Sequence, residues 1–275
     1  SDPPMADLPL LLEPEQLADL LPLDNVLIID QSKAETFMEG HIPGAVHLDF
    51  KRLQRPGTPV PGLLPEMSEL ETVFSELGLT AETHVICSDD EGGGWAGRFA
   101  WTLDVIGHRE WRYLNGGLAA WITAGGEIAT GAGGEAPPTT VELRLDTSPV
   151  AELEDVLAAI TDPQQIIWDV RSRAEFLGER SGSARAGHIP GAVHLDWMDL
   201  KDPARALRLI ENLRQRLEDA GIDGNRRVIT HCQTHHRSGL SYMVGRLLGF
   251  SDIQAYPGSW SEWGNRDDTP VSLEP

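Results

Sequence analysis

Residues 40–49 read GHIPGAVHLD, and the same ten residues return unchanged at 187–196. Identity of that length at two places in one chain marks a duplication, and the match spreads outward from it. VLIID at 26–30 corresponds to IIWD at 166–169, each an apolar run ending in Asp. His84-Val85-Ile86 corresponds to Arg227-Val228-Ile229. Asn115-Gly116-Gly117 followed by Trp121 corresponds to Pro257-Gly258-Ser259 followed by Trp263. Two copies of domain size can each bury a core, unlike the short units of a solenoid. Between them, residues 130–140 read TGAGGEAPPTT, which has no apolar period and the composition of a linker. Residues 141–145 read as a short extended segment. The expected organisation is a first domain over 1–129, a linker over 130–148 and a second domain over 149–275.

Within the first copy the patterning predicts helices over 14–21, 66–77 and 95–106. Strands are predicted over 26–30, 46–48, 84–87 and 111–114. The second copy repeats the order, with a long helix expected over 204–220, a strand over 227–231 and a helix over 238–249. Strands alternating with helices at this spacing predict an α/β fold: in each domain a mainly parallel sheet covered by helices on both faces. Ligand sites in such sheets lie beyond the carboxyl ends of the strands.

The 275-residue length fits two domains, and 40% hydrophobic with 24% charged residues fits a globular chain. Two cysteines cannot make a disulfide framework, which points to a reducing compartment. The stretch 1–12 is short, acidic and Pro-containing, with no basic n-region, and no apolar run approaches ~20 residues. A cytoplasmic protein without membrane insertion is expected. The net charge of −21 repels phosphate backbones and anionic lipid, so neither nucleic acid nor membrane is an expected partner.

One carboxyl end carries chemistry. Residues 228–239 read VITHCQTHHRSG, placing Cys232 first in a tight loop between a strand and a helix N-terminus. Loop N–H groups and the helix dipole there favour thiolate over thiol. His235, His236 and Arg237 bring positive charge to the same loop. A free Cys is more commonly a small buried hydrophobe, but these polar and basic neighbours favour a reactive thiolate.

The run FMEGHIPGA at 37–45, the paired HIPGA, and YPGSWSEW at 256–263 resemble the tandem-domain rhodaneses, the thiosulfate or mercaptopyruvate sulfurtransferases. The Cys-Gln-Thr-His-His-Arg loop is most similar to that of the Azotobacter-type bacterial rhodaneses, and the resemblance covers nearly the whole chain. It implies two rhodanese-like domains, the C-terminal one catalytic and the N-terminal one inactive. The duplication supports that asymmetry independently. Aligning Val85-Ile86 on Val228-Ile229 sets Asp89 opposite Cys232, and Asp89, Asp90 and Glu91 stand where the second loop is basic. Cys87 falls within a strand, where a packed structural thiol is expected. The acidic loop reads as structural, with a wall near the second site as the alternative. Family members that use thiosulfate or mercaptopyruvate often carry a donor-binding Arg on the helix after the Asp-x-Arg strand end. Here the aligned position is Glu175, which predicts weak binding of small anionic donors, the alternative being that Arg171 or Arg173 takes the place of the donor Arg.

Sulfur transfer needs a nucleophile that accepts a sulfane sulfur and releases it, and a thiolate that becomes a persulfide does both. Cys232 is the expected nucleophile. Gln233, Thr234, His235, His236, Arg237 and Ser238 are the expected substrate-binding loop, Gln233 and Thr234 mainly through their backbone. Asp169 and Arg171 read equally as a brace for the site or as a strand-end ion pair with no such role. His41 and His188 read as structural residues of the GHIPGA turns, and Trp260 and Trp263 as cover for sheet and loop. The expected partners are a small anionic sulfur donor and a cyanide or thiol acceptor, which includes a protein acceptor. No cofactor and no metal are expected. The alternatives are a carrier delivering sulfur or selenium to a protein partner, and a Cys-dependent phosphatase. The latter uses a Cys-x5-Arg loop, whereas Cys232 to Arg237 is Cys-x4-Arg.

Overall fold

The computed structural model describes residues 7–22 and 24–275. The acidic stretch read at 1–12 therefore lies partly outside the described residues, at 1–6. The chain divides into two compact units, each built mostly from one copy. Unit 1 comprises residues up to Leu53, Pro65–Asp146 and Lys201–Leu209. Unit 2 comprises Gln54–Leu64, Thr147–Leu200 and Ile210–Pro275. No helix among the described residues is long and apolar enough to cross a membrane.

Unit 1 contains strand β1 (Leu11–Leu12), helix α1 (Pro14–Leu20), β2 (Val26–Asp30), α2 (Ala34–Glu39), β3 (Val46–His47), α3 (Met67–Glu76), β4 (His84–Ser88), α4 (Gly94–Val105), β5 (Trp111–Leu114) and α5 (Gly117–Thr123). Its sheet runs β1-β5-β4-β2-β3 with every pairing parallel. Unit 2 repeats this with α6 (Leu153–Ala159), β6 (Gln165–Asp169), α7 (Arg173–Phe176) and β7 (Val193–His194). The segment β8 (Lys201–Asp202) and β9 (Arg208–Leu209) lies in unit 1. Unit 2 then continues through α8 (Leu213–Asp219), β10 (Arg227–His231), α9 (Arg237–Leu247), β11 (Ile253–Ala255) and α10 (Ser259–Trp263). Its sheet runs β11-β10-β6-β7, again all parallel. The counterpart of β1 has shrunk to a single parallel bridge between Val150 and Ala255.

Parallel strands covered on both sides are apolar along their length, and β2, β4, β6 and β10 bury four of their five residues each. Duplicated positions fill equivalent core sites. Ile28, Ile42, Ile86 and Trp121 cluster in unit 1, and Ile167, Ile189, Ile229 and Trp263 in unit 2. Trp260 joins the second core, as expected of a covering residue.

The GHIPGA turns are pinned identically. Gly44 and Gly191 take the left-handed φ values of +84° and +79° that the turn requires. His41 Nδ1 donates to the Phe37 carbonyl at 2.8 Å and stacks on its ring, centroids 3.9 Å apart. His188 does the same with Phe176, at 2.6 Å and 3.6 Å. Each His also exchanges backbone hydrogen bonds with a distant segment, His41 with Ala129 and His188 with Ser272. Both are structural, as read from the sequence.

The long helix expected over 204–220 is not formed. Ala206 and Leu207 adopt φ of +57° and +65°, reversing the chain into the antiparallel β8–β9 hairpin; Pro203–Arg205 is a single 3-10 turn and the α-helix runs from Leu213 to Asp219. Tertiary partners override the helical pattern. Asn115 Oδ1 accepts the Leu209 N–H at 2.8 Å, and Arg208 lies 3.4 Å from Glu13. Residues 141–145 form no strand. The Val141 N–H is bound by Ser75 Oγ and the Leu143 N–H by Glu71, both on α3.

His188→Ala removes a buried donor and leaves the Phe176 carbonyl unsatisfied, a cost of about 1–3 kcal/mol. The measurement is urea unfolding of the full chain. A lowered midpoint is expected, and an unchanged midpoint would contradict the structural role.

Candidate active site

β10 ends at His231, and the loop 232–236 carries the chain into α9. Cys232 is 1% exposed. Its sulfur accepts the His236 N–H at 3.2 Å and the Ser238 hydroxyl at 3.4 Å. His235 Nδ1 lies 2.7 Å from Ser238 Oγ. Since the hydroxyl donates to sulfur, Nδ1 carries the proton that it donates to Ser238, giving a relay from imidazole to hydroxyl to sulfur. His235 sits at φ +53°, a left-handed conformation that a non-Gly residue holds only under tertiary constraint. Burial alone would raise the Cys232 pKa. The Arg237 charge, the Ser238 hydrogen bonds and the His236 charge outweigh it and pull the thiol below its usual value.

Gln233 and Thr234 act as loop anchors. The Gln233 carbonyl accepts the Ser261 N–H at 2.9 Å, and its amide donates to Ser183 at 3.0 Å. The Thr234 carbonyl accepts from Gln54 at 3.1 Å. Gly62 also lies against this loop, where an added Cβ would meet the Thr234 and Pro257 carbonyls. His236 meets the edge of Trp197, ring centroids 5.7 Å apart.

Arg237 forms a two-pronged pair with Glu175, Nη1 to Oε1 at 2.8 Å and Nη2 to Oε2 at 3.0 Å. Glu175 is the third residue of α7, and its Oε1 closes a capping box with the Ser172 N–H and hydroxyl. Burial would raise Glu175, but the Arg237 and Ser172 contacts hold it at about 2. The carboxylate aligned with a donor-binding position is thus bound to the loop's own cation.

At the end of the neighbouring strand, Asp169 and Arg171 are fully buried and paired, Nη2 to Oδ2 at 2.7 Å and Nε to Oδ1 at 3.0 Å. Arg171 also donates to the Gly187 carbonyl at 2.7 Å and lies 4.5 Å above the Trp260 ring. Burial acts to raise Asp169, while positive charge at His231 and Arg171 outweighs it and leaves the carboxyl at about 2. His231 is itself pushed down by burial, so at neutral pH Arg171 supplies the fixed charge.

Ser259 is the residue that the sequence reading passed over. Its hydroxyl accepts the Cys232 N–H at 3.2 Å and donates to the Tyr256 carbonyl at 2.9 Å, and its φ is +53°. The signal was in the repeat. The corresponding residue is Gly117, at φ +58°. The Ser keeps the left-handed conformation of its Gly counterpart and adds a hydroxyl that bridges the Cys232 N–H and the Tyr256 carbonyl.

The equivalent loop of unit 1 has the same form around a different anion. Asp89 is buried, with Oδ1 accepting the N–H groups of Glu91, Gly92 and Gly93 at 3.0–3.1 Å and Oδ2 that of Ala96 at 2.9 Å. Burial and the neighbouring Glu91 raise it to about 6. Ser32 stands where Arg171 stands in unit 2, so Asp30 has no guanidinium beside it, and burial pushes its pKa up. Cys87 is fully buried in β4, and burial, with Asp104 and Asp89, raises its pKa well above a free thiol's.

The Rhodanese-like domain model matches residues 13–124 and again 152–266, and the chain belongs to this family. It is 46% identical to the thiosulfate sulfurtransferase of Pseudomonas aeruginosa and 45% identical to that of Azotobacter vinelandii. Both matches run over 272 residues and cover 98% of each chain. Among solved structures, the anaerobic ergothioneine biosynthesis enzyme of Chlorobium limicola superposes with a TM-score of 0.84. That match covers 96% of this chain and 70% of the other, at 22% identity, a likeness of fold.

Alkylation rate against pH should give a Cys232 midpoint below the free-thiol value of ~8.5, and Arg237→Gln should raise it. A wild-type midpoint at or above that value would overturn the electrostatic assignment. A second expectation concerns Asp169. Its stabilising contribution is present above the ordinary carboxylate range and is lost as pH falls through about 2. Asp169→Asn strands Arg171 without a counter-charge, a loss of about 3–5 kcal/mol. Equal unfolding midpoints for variant and parent at pH 7 would refute it.

Proposed function

We propose that the protein is a sulfurtransferase that takes a sulfane sulfur from thiosulfate or a related donor onto Cys232. The persulfide then passes that sulfur to cyanide or to a thiol, including a thiol on a protein. The observation that carries this reading is the buried Cys232 sulfur, held by the His236 amide and the Ser238 hydroxyl in a loop that ends at Arg237.

In the first half-reaction the Cys232 thiolate attacks the outer sulfur of thiosulfate. The new S–S bond forms as the old one breaks, and sulfite leaves with the electron pair. The charge of −3 on the reactants is carried by the persulfide (−1) and sulfite (−2). In the second half-reaction cyanide attacks the terminal sulfur, thiocyanate leaves and the thiolate is restored. The His236 amide and the His235–Ser238 relay stabilise anionic sulfur throughout, in the manner of an oxyanion hole. Asp169 and Arg171 brace the loop from the end of the neighbouring strand. The four residues between Cys232 and Arg237 form a smaller cradle than the five of Cys-dependent phosphatases, which favours sulfur over phosphoryl chemistry.

The second copy is the catalytic one in this reading, and the first is inactive. Asp89 holds the equivalent cradle with its own carboxylate and cannot carry a sulfane sulfur. Two cysteines, both free, support a reducing, cytoplasmic location.

Cys232→Ser is expected to abolish thiosulfate:cyanide sulfur transfer while leaving the circular dichroism spectrum unchanged, because a hydroxyl forms no persulfide. Cys87→Ser should keep most of the activity. Comparable losses in the two variants would sink both the nucleophile and the division of labour between copies.

A further inference from the structure

Arg237 serves two anions. It is the largest opposite charge acting on the Cys232 thiolate, and it is held in a two-pronged pair by Glu175, which is itself only 8% exposed. The pair is built in. Ser172 fixes Glu175 Oε1 through both its N–H and its hydroxyl, so the carboxylate is positioned by the first turn of α7 without any ligand. Two of the five guanidinium N–H groups are committed to this internal anion. In the first half-reaction above, thiosulfate brings two negative charges to a site that already holds the thiolate and Glu175, against one Arg237.

We propose that Glu175 is a specificity-determining residue: it competes with the incoming donor for Arg237 and so selects sulfane donors of low negative charge over dianions. The favoured class is singly charged or neutral at the transferring sulfur, such as an organic thiosulfonate or a thiol persulfide, with thiosulfate the poorer donor. The inference rests on the persulfide reading of Cys232. For a thiosulfonate the same attack forms the Cys232 persulfide and releases a sulfinate, so −2 goes to −1 and −1, one charge less in the site than with thiosulfate.

The test uses the full chain with two donors, thiosulfate and benzenethiosulfonate, and cyanide as acceptor. Glu175→Gln keeps the shape of the side chain and removes its charge. KM for thiosulfate should fall roughly ten-fold, with KM for benzenethiosulfonate changing much less. In the same variant the alkylation midpoint of Cys232 should fall by about one pH unit, since a nearby negative charge has gone. Glu175→Asp, which keeps the charge but withdraws it by one methylene, should lie between the two for thiosulfate. A uniform loss of kcat with both donors, or an unchanged ratio of the two KM values with an unchanged midpoint, would reduce Glu175 to a structural helix cap and overturn the proposal. Failure of the persulfide reading looks different: the wild type would form no thiocyanate from either donor, or Cys232→Ser would retain activity.

Discussion

A tight loop that folds several backbone N–H groups inward has to give them an acceptor, because an N–H left bare in a dry interior costs more than most single contacts return. That requirement governs the carboxyl end of the central strand in both copies. In unit 1 the acceptor is the Asp89 carboxylate, fixed by four amides. In unit 2 it is the Cys232 sulfur, bound by the His236 amide and by the hydroxyl and amide of Ser238. An anionic acceptor suits each loop better than a neutral one. The loops differ in the residue at their first position, a carboxylate in unit 1 and a thiol in unit 2.

The rest of the asymmetry follows from two further exchanges. Where unit 1 has Ser32, unit 2 has Arg171, which clamps Asp169 and stacks on Trp260. Where the helix after the strand carries Thr36 in unit 1, it carries Glu175 in unit 2, three residues past the helix cap in each case. Unit 2 thus holds two buried or half-buried ion pairs, Asp169–Arg171 and Glu175–Arg237, with Arg237 also pulling the Cys232 thiol below its usual pKa. Each of these guanidinium groups is already paired with a carboxylate of the protein itself.

The fold was legible because the duplication supplies two readings of one pattern, and apolar strands ending in Asp mark the sheet in both. Cys232 and its loop were equally legible, since a strand-to-helix turn is local in sequence. Ser259 and the Glu175–Arg237 pair were not, because each depends on residues 27 and 62 positions apart meeting in space. Residues 204–220 misled for the same reason. Their helical period is real, but two left-handed residues and the partners Asn115 and Glu13 decide the outcome.

The two units do not divide the chain at one point. Residues 54–64 are encoded in the first copy yet complete unit 2, and 201–209 are encoded in the second yet complete unit 1. Unit 1's five-stranded sheet is complete in sequence by Leu114, yet the hairpin at 201–209 that clusters with it is translated more than fifty residues after the rest of the unit ends at Asp146. Long sequence separations of this kind slow folding and extend the life of part-built states. Cutting the gene in the Gly/Pro-rich linker would give two products each short of a segment. Each unit is therefore discontinuous in sequence although the sequence itself is a simple tandem duplication.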